Sequence, residues 1–293
     1  MIRNEQKLNI LVIGGTSFFG KQLVEDLLQE GHEITIASRG NRRPFTNVKY
    51  VIIDRDVSSS LQTLKDSSWD RVYDQICMNE RHAEMMISLF KNVGHYIHIS
   101  TGSVYDGHST GHLEDELDME NYPLYEFDEV TLGHGAAYGE NKRRAEAIFF
   151  QKLQFPFTAI RFCIVVGKDD TSKRLDYHIQ KIKNTEEIYF PNQNARMSFI
   201  TQEDASSFLR LVGDNKNYGA YNIMSGILSI GELVNIIEDK TNKTLIEAFA
   251  KNKNNSSPYG IEDDWCLNID KAISIGYKPN SNFKRYFQNL IPR

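Results

Sequence analysis

The chain has 293 residues, with 34 Lys plus Arg against 39 Asp plus Glu and a formal net charge of −5. That length holds a sizeable core in one large domain or two small ones, and 40% apolar, 25% charged and 11% aromatic residues describe an ordinary globular protein, not a disordered or fibrous one. The mild acidity argues against nucleic acid or an anionic membrane as partner. No apolar stretch approaches the roughly 18 residues that cross a bilayer; the longest lies around Phe162–Val166. Cys77, Cys163 and Cys266 are too scattered for a disulfide framework or a zinc site, so no metal is expected. The opening MIRNEQKLNI shows no secretory h-region, and a reduced, cytoplasmic setting is expected.

Leu8–Ile13 reads as a buried strand, short, apolar and ending in glycines. Phe18–Gln29 places Phe19, Leu23, Leu27 and Leu28 near one helical face, with Gly31 as the stop. Strands follow at Glu33–Ala37, Lys49–Ile53 and Arg71–Ile76, with a polar helix at Ser58–Lys65 before the last of these. A helix at Arg81–Lys91, the strand Tyr96–Ile99, a helix over about Ala136–Leu153 and the strand Phe157–Val166 complete the series. This repeated βα order implies parallel strands joined by right-handed crossovers, a doubly wound α/β sheet. Beyond Gly167 the rhythm loosens. Helices are expected at Leu175–Lys183, Glu203–Val212, Ile230–Asp239 and Phe283–Leu290, and short strands at Met197–Ile200, Ala220–Ile223 and Thr244–Glu247. The expected organisation is a dinucleotide-binding part (1–166 and 198–224) under a smaller C-terminal α+β substrate-binding cap (167–197 and 225–293), the chain crossing between them more than once.

The first strand runs into Gly14-Gly15-Thr16-Ser17-Phe18-Phe19-Gly20, which opens a helix. Gly14 permits a tight turn, Gly20 a close helix–strand approach, and the helix amino terminus presents free N–H groups to a pyrophosphate. Ser17 either donates to a phosphate or caps the helix. An NAD site wants an acidic residue at the end of the second strand; this chain has Ser38-Arg39-Gly40-Asn41-Arg42-Arg43. Arg39, assisted by Arg42 or Arg43, suits a 2′-phosphate, so NADP is expected ahead of NAD. Asp56-Val57, after the third strand, either reaches the adenine or caps the next helix. Ile76 and Cys77, ending the fourth strand, are expected beside the cofactor.

Tyr138 and Lys142 lie at i and i+4 of one helix, hence on one face. Bringing a phenol from a pKa of about 10 to about 7 takes roughly 4 kcal/mol of preferential stabilisation of the phenolate, for which an adjacent ammonium and a nicotinamide cation are sources. Tyr138 would then exchange a proton with a substrate oxygen while hydride moves to or from the nicotinamide. Thr101 or Ser103, at the carboxyl end of the fifth strand, would polarise that oxygen.

In order along the chain, Gly14–Gly20, Ser100–Tyr105, Tyr138–Lys142, Arg161–Gly167, Tyr221-Asn222-Ile223 and Asp270-Lys271…Gly276-Tyr277-Lys278-Pro279 resemble the extended short-chain dehydrogenases/reductases, in the NAD-dependent epimerase/dehydratase branch. The likeness covers nearly the whole chain. It implies a Rossmann sheet, Tyr138 as general acid or base, Lys142 holding the nicotinamide ribose and lowering the tyrosine pKa, Thr101 in preference to Ser103 as the third group, and Ile164 at the nicotinamide. Members of the family often dimerise through helices flanking the sheet, so a homodimer is allowed. Ser17, Asp106 and Asp74-Gln75-Ile76-Cys77-Met78 depart from the pattern, and the last of these with GGTxFFG looks more like a branch containing putative reductases and RNA-binding chloroplast relatives. For a small-molecule substrate, Lys173, Arg174, His178 and Arg196 are candidate anchors of a phosphate or carboxylate, with a nucleotide sugar in view. Glu114–Glu129 carries eight acidic and no basic side chains, either a lid or a solvated loop. His95 and His98 read as structural, and Cys77 and Cys163 as small buried hydrophobes.

Overall fold

The structure, a computed structural model, describes residues 7–65 and 67–292; most of the opening MIRNEQKLNI lies outside them. Along the chain come β1 (Asn9–Ile13), α1 (Phe18–Gln29), β2 (Glu33–Ser38), β3 (Lys49–Ile52), α2 (Ser58–Leu61), β4 (Arg71–Asp74), α3 (Glu80–Leu89) and β5 (Tyr96–Thr101). There follow β6 (Ser109–His112), α4 (Glu129–Leu132), α5 (His134–Lys152), β7 (Phe157–Phe162), β8 (Ile164–Val166), α6 (Arg174–Lys183), β9 (Glu187–Ile188), β10 (Arg196–Thr201) and α7 (Gln202–Asp214). The last part holds β11 (Gly219–Ile223), β12 (Gly226–Ser229), α8 (Ile230–Thr241), β13 (Ile246–Glu247), β14 (Trp265–Leu267), α9 (Asp270–Ser274) and α10 (Phe283–Leu290).

Seven strands form one parallel sheet in the order β11-β7-β5-β4-β1-β2-β3. The doubly wound sheet expected from the βα rhythm is thus present. Its inner strands are buried on both faces, while the edge strand β3 is partly exposed. In β1, Ile10 and Val12 enter one core and Leu11 and Ile13 the other, which is why the strand reads as a continuous apolar run without alternation. The strand order reverses between β1 and β4, and a crevice opens there beyond the carboxyl ends of the strands.

Two expected elements take another form. Ser58–Lys65 holds only the single turn of α2 followed by a 3₁₀ turn, Gln62–Leu64. The apolar run Phe157–Val166 is two strands, because the chain changes partner at Cys163: β7 pairs with β5 and β11, whereas β8 leaves that sheet and pairs with β10. The second sheet runs β12-β10-β14-β6 with β8 beside β10. Sheet membership therefore crosses the expected domain boundaries, since β6 and β10 both belong to this smaller sheet. A third core, including Phe199, Tyr259, Phe283 and Phe287, fills the cap. Among the described residues no helix is long and apolar enough to cross a membrane.

Candidate active site

The turn between β1 and α1 has the geometry that glycine allows. Gly14 and Gly15 sit at φ +101° and +69°, and the Gly14 N–H donates to the Ala37 carbonyl at 2.9 Å. A Cβ on Gly20 would lie 2.0 Å from Gln75 Oε1, so a side chain there would displace the Gln75 amide from its place beside the turn. Phe18 holds φ +54°, a strained conformation for an aromatic residue. Ser17 caps α1 with extended backbone and makes no side-chain capping bond, and the first turn carries no acidic residue. Its hydroxyl and the first-turn N–H groups remain open to an anion.

This turn forms one wall of a crevice of about 470 Å³, lined by Gly14 through Phe19, Ser38 through Arg42, Gln75, Ile76 and Thr171, none of them acidic. Arg39 and Arg42 thus face the same space, while Arg43 stacks over the Tyr50 ring at 5.4 Å. Asp56 and Val57 do not line it. The Asp56 carboxylate meets His82 Nε2 at 3.0 Å, which holds its pKa below the usual range, and the N-cap of α2 is Val57, with no side-chain bond. The Gln75 side chain, which sequence reading passed over, lies where the crevice turns inward, and its Nε2 is buried without a hydrogen-bond partner. A buried amide donor left unpaired beside a glycine turn fits a ligand rich in acceptor oxygens. A dinucleotide diphosphate is such a ligand.

Phe18, Phe19, Gln75 and Thr171 also line a second cavity, of about 690 Å³, so the two spaces adjoin. Here the structure brings together Tyr138, Lys142, Thr101, Ser103, Ile164 and Arg174. The first two come from α5, as the i, i+4 spacing requires. Thr101 ends β5 and caps the following 3₁₀ turn, its hydroxyl accepting from the Ser103 N–H at 3.2 Å. Gly139 lets α5 press onto this turn. A Cβ there would stand 2.3 Å from the Ser103 carbonyl oxygen. A glycine within a helix pattern was the available signal for this contact.

Lys142 is buried, and its ammonium donates to the carbonyls of Ile99 and Cys77, both at 2.7 Å. Two of its three N–H bonds are thereby used, and burial lowers its pKa. Tyr138 is 40% exposed; partial desolvation raises its pKa, against which the Thr101 hydroxyl and the Arg174 cation pull downward. Arg174 is the cation that lowers the Tyr138 pKa here, while the Lys142 ammonium is held by the two carbonyls. Cys77 takes part through its backbone oxygen, and its thiol, like those of Cys163 and Cys266, is free and buried.

Two proposed anchors stand away from the cavity. Arg196 is half exposed and gripped by Asp264, with Nε to Oδ2 and its backbone N–H to Oδ1 each at 2.8 Å. His178 is fully buried; Nδ1 meets the Arg174 carbonyl at 2.8 Å and Nε2 the Ser257 hydroxyl at 2.7 Å. The acidic stretch Glu114–Glu129 does not line the cavity either. It runs along α5, where Tyr122 donates to Glu140 at 2.7 Å, Gln151 donates to the Tyr122 carbonyl at 2.9 Å, and Asn141 donates to Glu129 at 2.7 Å. Arg143 and Arg144 of α5 stack over its Tyr122 and Phe127 rings, while their carboxylate partners, Asp106, Glu140 and Glu80, lie outside the stretch.

A parallel sheet with a glycine turn at its reversal point, beside a smaller second sheet, is a doubly wound α/β fold of the Rossmann type. Residues 10–84 match the family model described as NAD dependent epimerase/dehydratase family, a span that includes the Gly14–Gly20 motif on which the resemblance rests in part. The solved UDP-glucuronic acid 4-epimerase from Bacillus cereus superposes with a TM-score of 0.74 at 18% identity, covering 97% of this chain and 99% of that one. The dTDP-glucose 4,6-dehydratase from Bacillus anthracis, solved with NAD, gives 0.72 at 16% identity over 97% and 95%. At such identities the likeness is one of fold. The chain is also 23% identical over 225 residues to the chloroplast stem-loop binding protein of 41 kDa b of Arabidopsis thaliana, a match covering 71% of this chain and 56% of that protein. The chain therefore spans about half the length of that curated relative.

Proposed function

We propose that the protein is an NADP(H)-dependent oxidoreductase or epimerase acting on a hydroxyl or carbonyl group of a small cytoplasmic substrate, with nucleotide sugars as the first class to test. The observation that carries this reading is Tyr138 beside Thr101 in a cavity that continues into the glycine-turn crevice. Thr16, Ser17 and the α1 amino terminus would hold the diphosphate with Gln75 donating to it, Arg39 and Arg42 would take the 2′-phosphate, and Ile76 and Ile164 would flank the dinucleotide. The remaining N–H of Lys142 would go to a ribose hydroxyl. The nicotinamide, when bound, supplies or accepts the hydride. Tyr138 gives or takes the proton at the substrate oxygen, and Thr101 and Ser103 orient that oxygen by hydrogen bonds. For Tyr138 to act as a base near neutrality its pKa must fall from the raised value; Arg174 and the positive charge of an oxidised nicotinamide both act in that direction.

The test incubates the protein with NADP+ or NADPH and UDP-glucose, UDP-glucuronic acid or dTDP-glucose, and follows products by chromatography. Tyr138→Phe is expected to abolish turnover and to leave NADP+ affinity within about twofold, the lost hydroxyl touching substrate and not cofactor. Unchanged turnover in that variant overturns the assignment. Nicotinamide retained through purification favours an epimerase, which regenerates its cofactor each cycle; a freely exchanging cofactor favours a reductase. The chloroplast relative motivates a second reading, in which the fold binds an RNA stem-loop. Tight RNA binding that weakens steeply with salt would support it.

A further inference from the structure

The cavity that holds Tyr138 is lined from the cap by a residue whose hydroxyl no described residue uses. Tyr259 is 1% exposed, its residue lines the larger cavity, and its phenol oxygen is buried without a hydrogen-bond partner among the described residues. Its ring is held firmly. His178 stacks on it at 4.9 Å and 12°, Phe199 meets it edge-on at 5.6 Å, and the Tyr259 N–H donates to the Ser257 hydroxyl, which His178 also engages. A rigid ring cannot swing its hydroxyl to a partner elsewhere, and an unpaired buried hydroxyl is costly. Such a group is retained at little cost when a ligand completes it.

Arg174 lies over the face of this ring, its guanidinium carbon 5.8 Å from the Tyr259 ring centre. It lines the same cavity, and its one side-chain bond is from Nε to the Ser172 hydroxyl at 3.1 Å. Among the described residues it has no carboxylate partner, whereas Arg55, Arg143, Arg144, Arg161 and Arg196 each have one. Asp170 also lines the cavity, but its carboxylate already accepts the Ser172 N–H at 2.7 Å.

We infer that Tyr259 and Arg174 form an anchor for an anionic oxygen group of the substrate, a carboxylate or a phosphate, and so determine substrate specificity. This rests on the reading of the cavity as a substrate site opposite Tyr138. In it His178 is a positioning residue, holding the Tyr259 ring and the Ser257 loop while contacting no ligand itself. Both residues line the cavity that also holds Tyr138, so a group anchored there would keep the rest of the substrate in the same space as that phenol.

Trp265 lines the same cavity, and Trp69 is the other tryptophan of the chain. In a Trp69→Phe background, Trp265 emission reports on the cavity. Inorganic phosphate, malonate and neutral glycerol are titrated with NADP+ present. At least one anion is expected to change the emission saturably, and glycerol is not; the anion that binds distinguishes phosphate from carboxylate recognition. Tyr259→Phe, which keeps ring and fold, is expected to weaken that anion about tenfold, and Arg174→Met by tenfold or more. Absence of anion binding up to tens of millimolar, or equal affinity in both variants and the parent, overturns the inference. Because no turnover is read, anion binding that depends on Arg174 and Tyr259 together with full activity in Tyr138→Phe would sink the catalytic reading alone.

Discussion

Replacing Gly139 by alanine separates the effect of position from the effect of stability. The new Cβ would stand 2.3 Å from the Ser103 carbonyl oxygen, where ordinary carbon–oxygen contacts lie near 3.3 Å or beyond. Helix α5 must therefore back away from the Gly102–Val104 turn by about 1 Å, carrying Tyr138 with it away from Thr101. Overpacking of this size costs about 1–3 kcal/mol, and alanine returns about 1 kcal/mol of helix propensity, leaving a net loss of about 0–2 kcal/mol and a melting temperature lower by a few degrees. The reacting geometry suffers more, because a misplacement of about 1 Å is worth about a hundredfold in rate. Scanning calorimetry and turnover measured side by side should show near-parental stability with turnover reduced about a hundredfold. Turnover within twofold of the parent would refute the claim that the α5–turn contact sets the Tyr138 position.

Two further substitutions address separate parts of the account. His178 is fully buried and its pKa is pushed down to about 4 by that burial, below the unfolded value near 6.5. The folded chain therefore resists its protonation: the associated stability, about 3 kcal/mol at most, is whole above about pH 6.5 and disappears as pH falls toward about 4. Melting temperatures between pH 7 and 5 should fall less steeply in His178→Gln than in the parent; an identical slope would refute this. Arg39→Ala should weaken NADP+ about tenfold to a hundredfold, as loss of a charge-assisted contact implies, and leave NAD+ nearly unchanged. Equal losses for both cofactors would show that Arg39 does not read the 2′-phosphate.

The legible parts of the sequence were those governed by local rules. Helix α1 begins and ends where the glycine turn and Gly31 place it, with Gly31 at φ +88°; β1, apolar on both faces, and the βα rhythm define the large sheet. The placement of Tyr138 and Lys142 in one cavity follows from helical spacing alone. Long-range pairing was hidden. Nothing in the apolar run around Cys163 announces that β8 changes sheets, and short strands such as β6, β12 and β14 acquire their identity from partners distant in sequence. Arg196 reads as a free cation until Asp264 is seen beside it, and Glu114–Glu129 reads as a free acidic loop until its Tyr122 and Phe127 rings are seen against α5. Gln75 and Tyr259 matter through bonds they lack, which no spacing encodes.

Calorimetric titration of NADP+ into the parent chain and into Lys142→Met tests most directly whether the ammonium stands at a dinucleotide site. One NADP+ per chain is predicted, bound about tenfold or more weakly by the variant, as loss of a charged donor implies. An absence of binding to the parent, or equal affinity in the two proteins, would contradict the account.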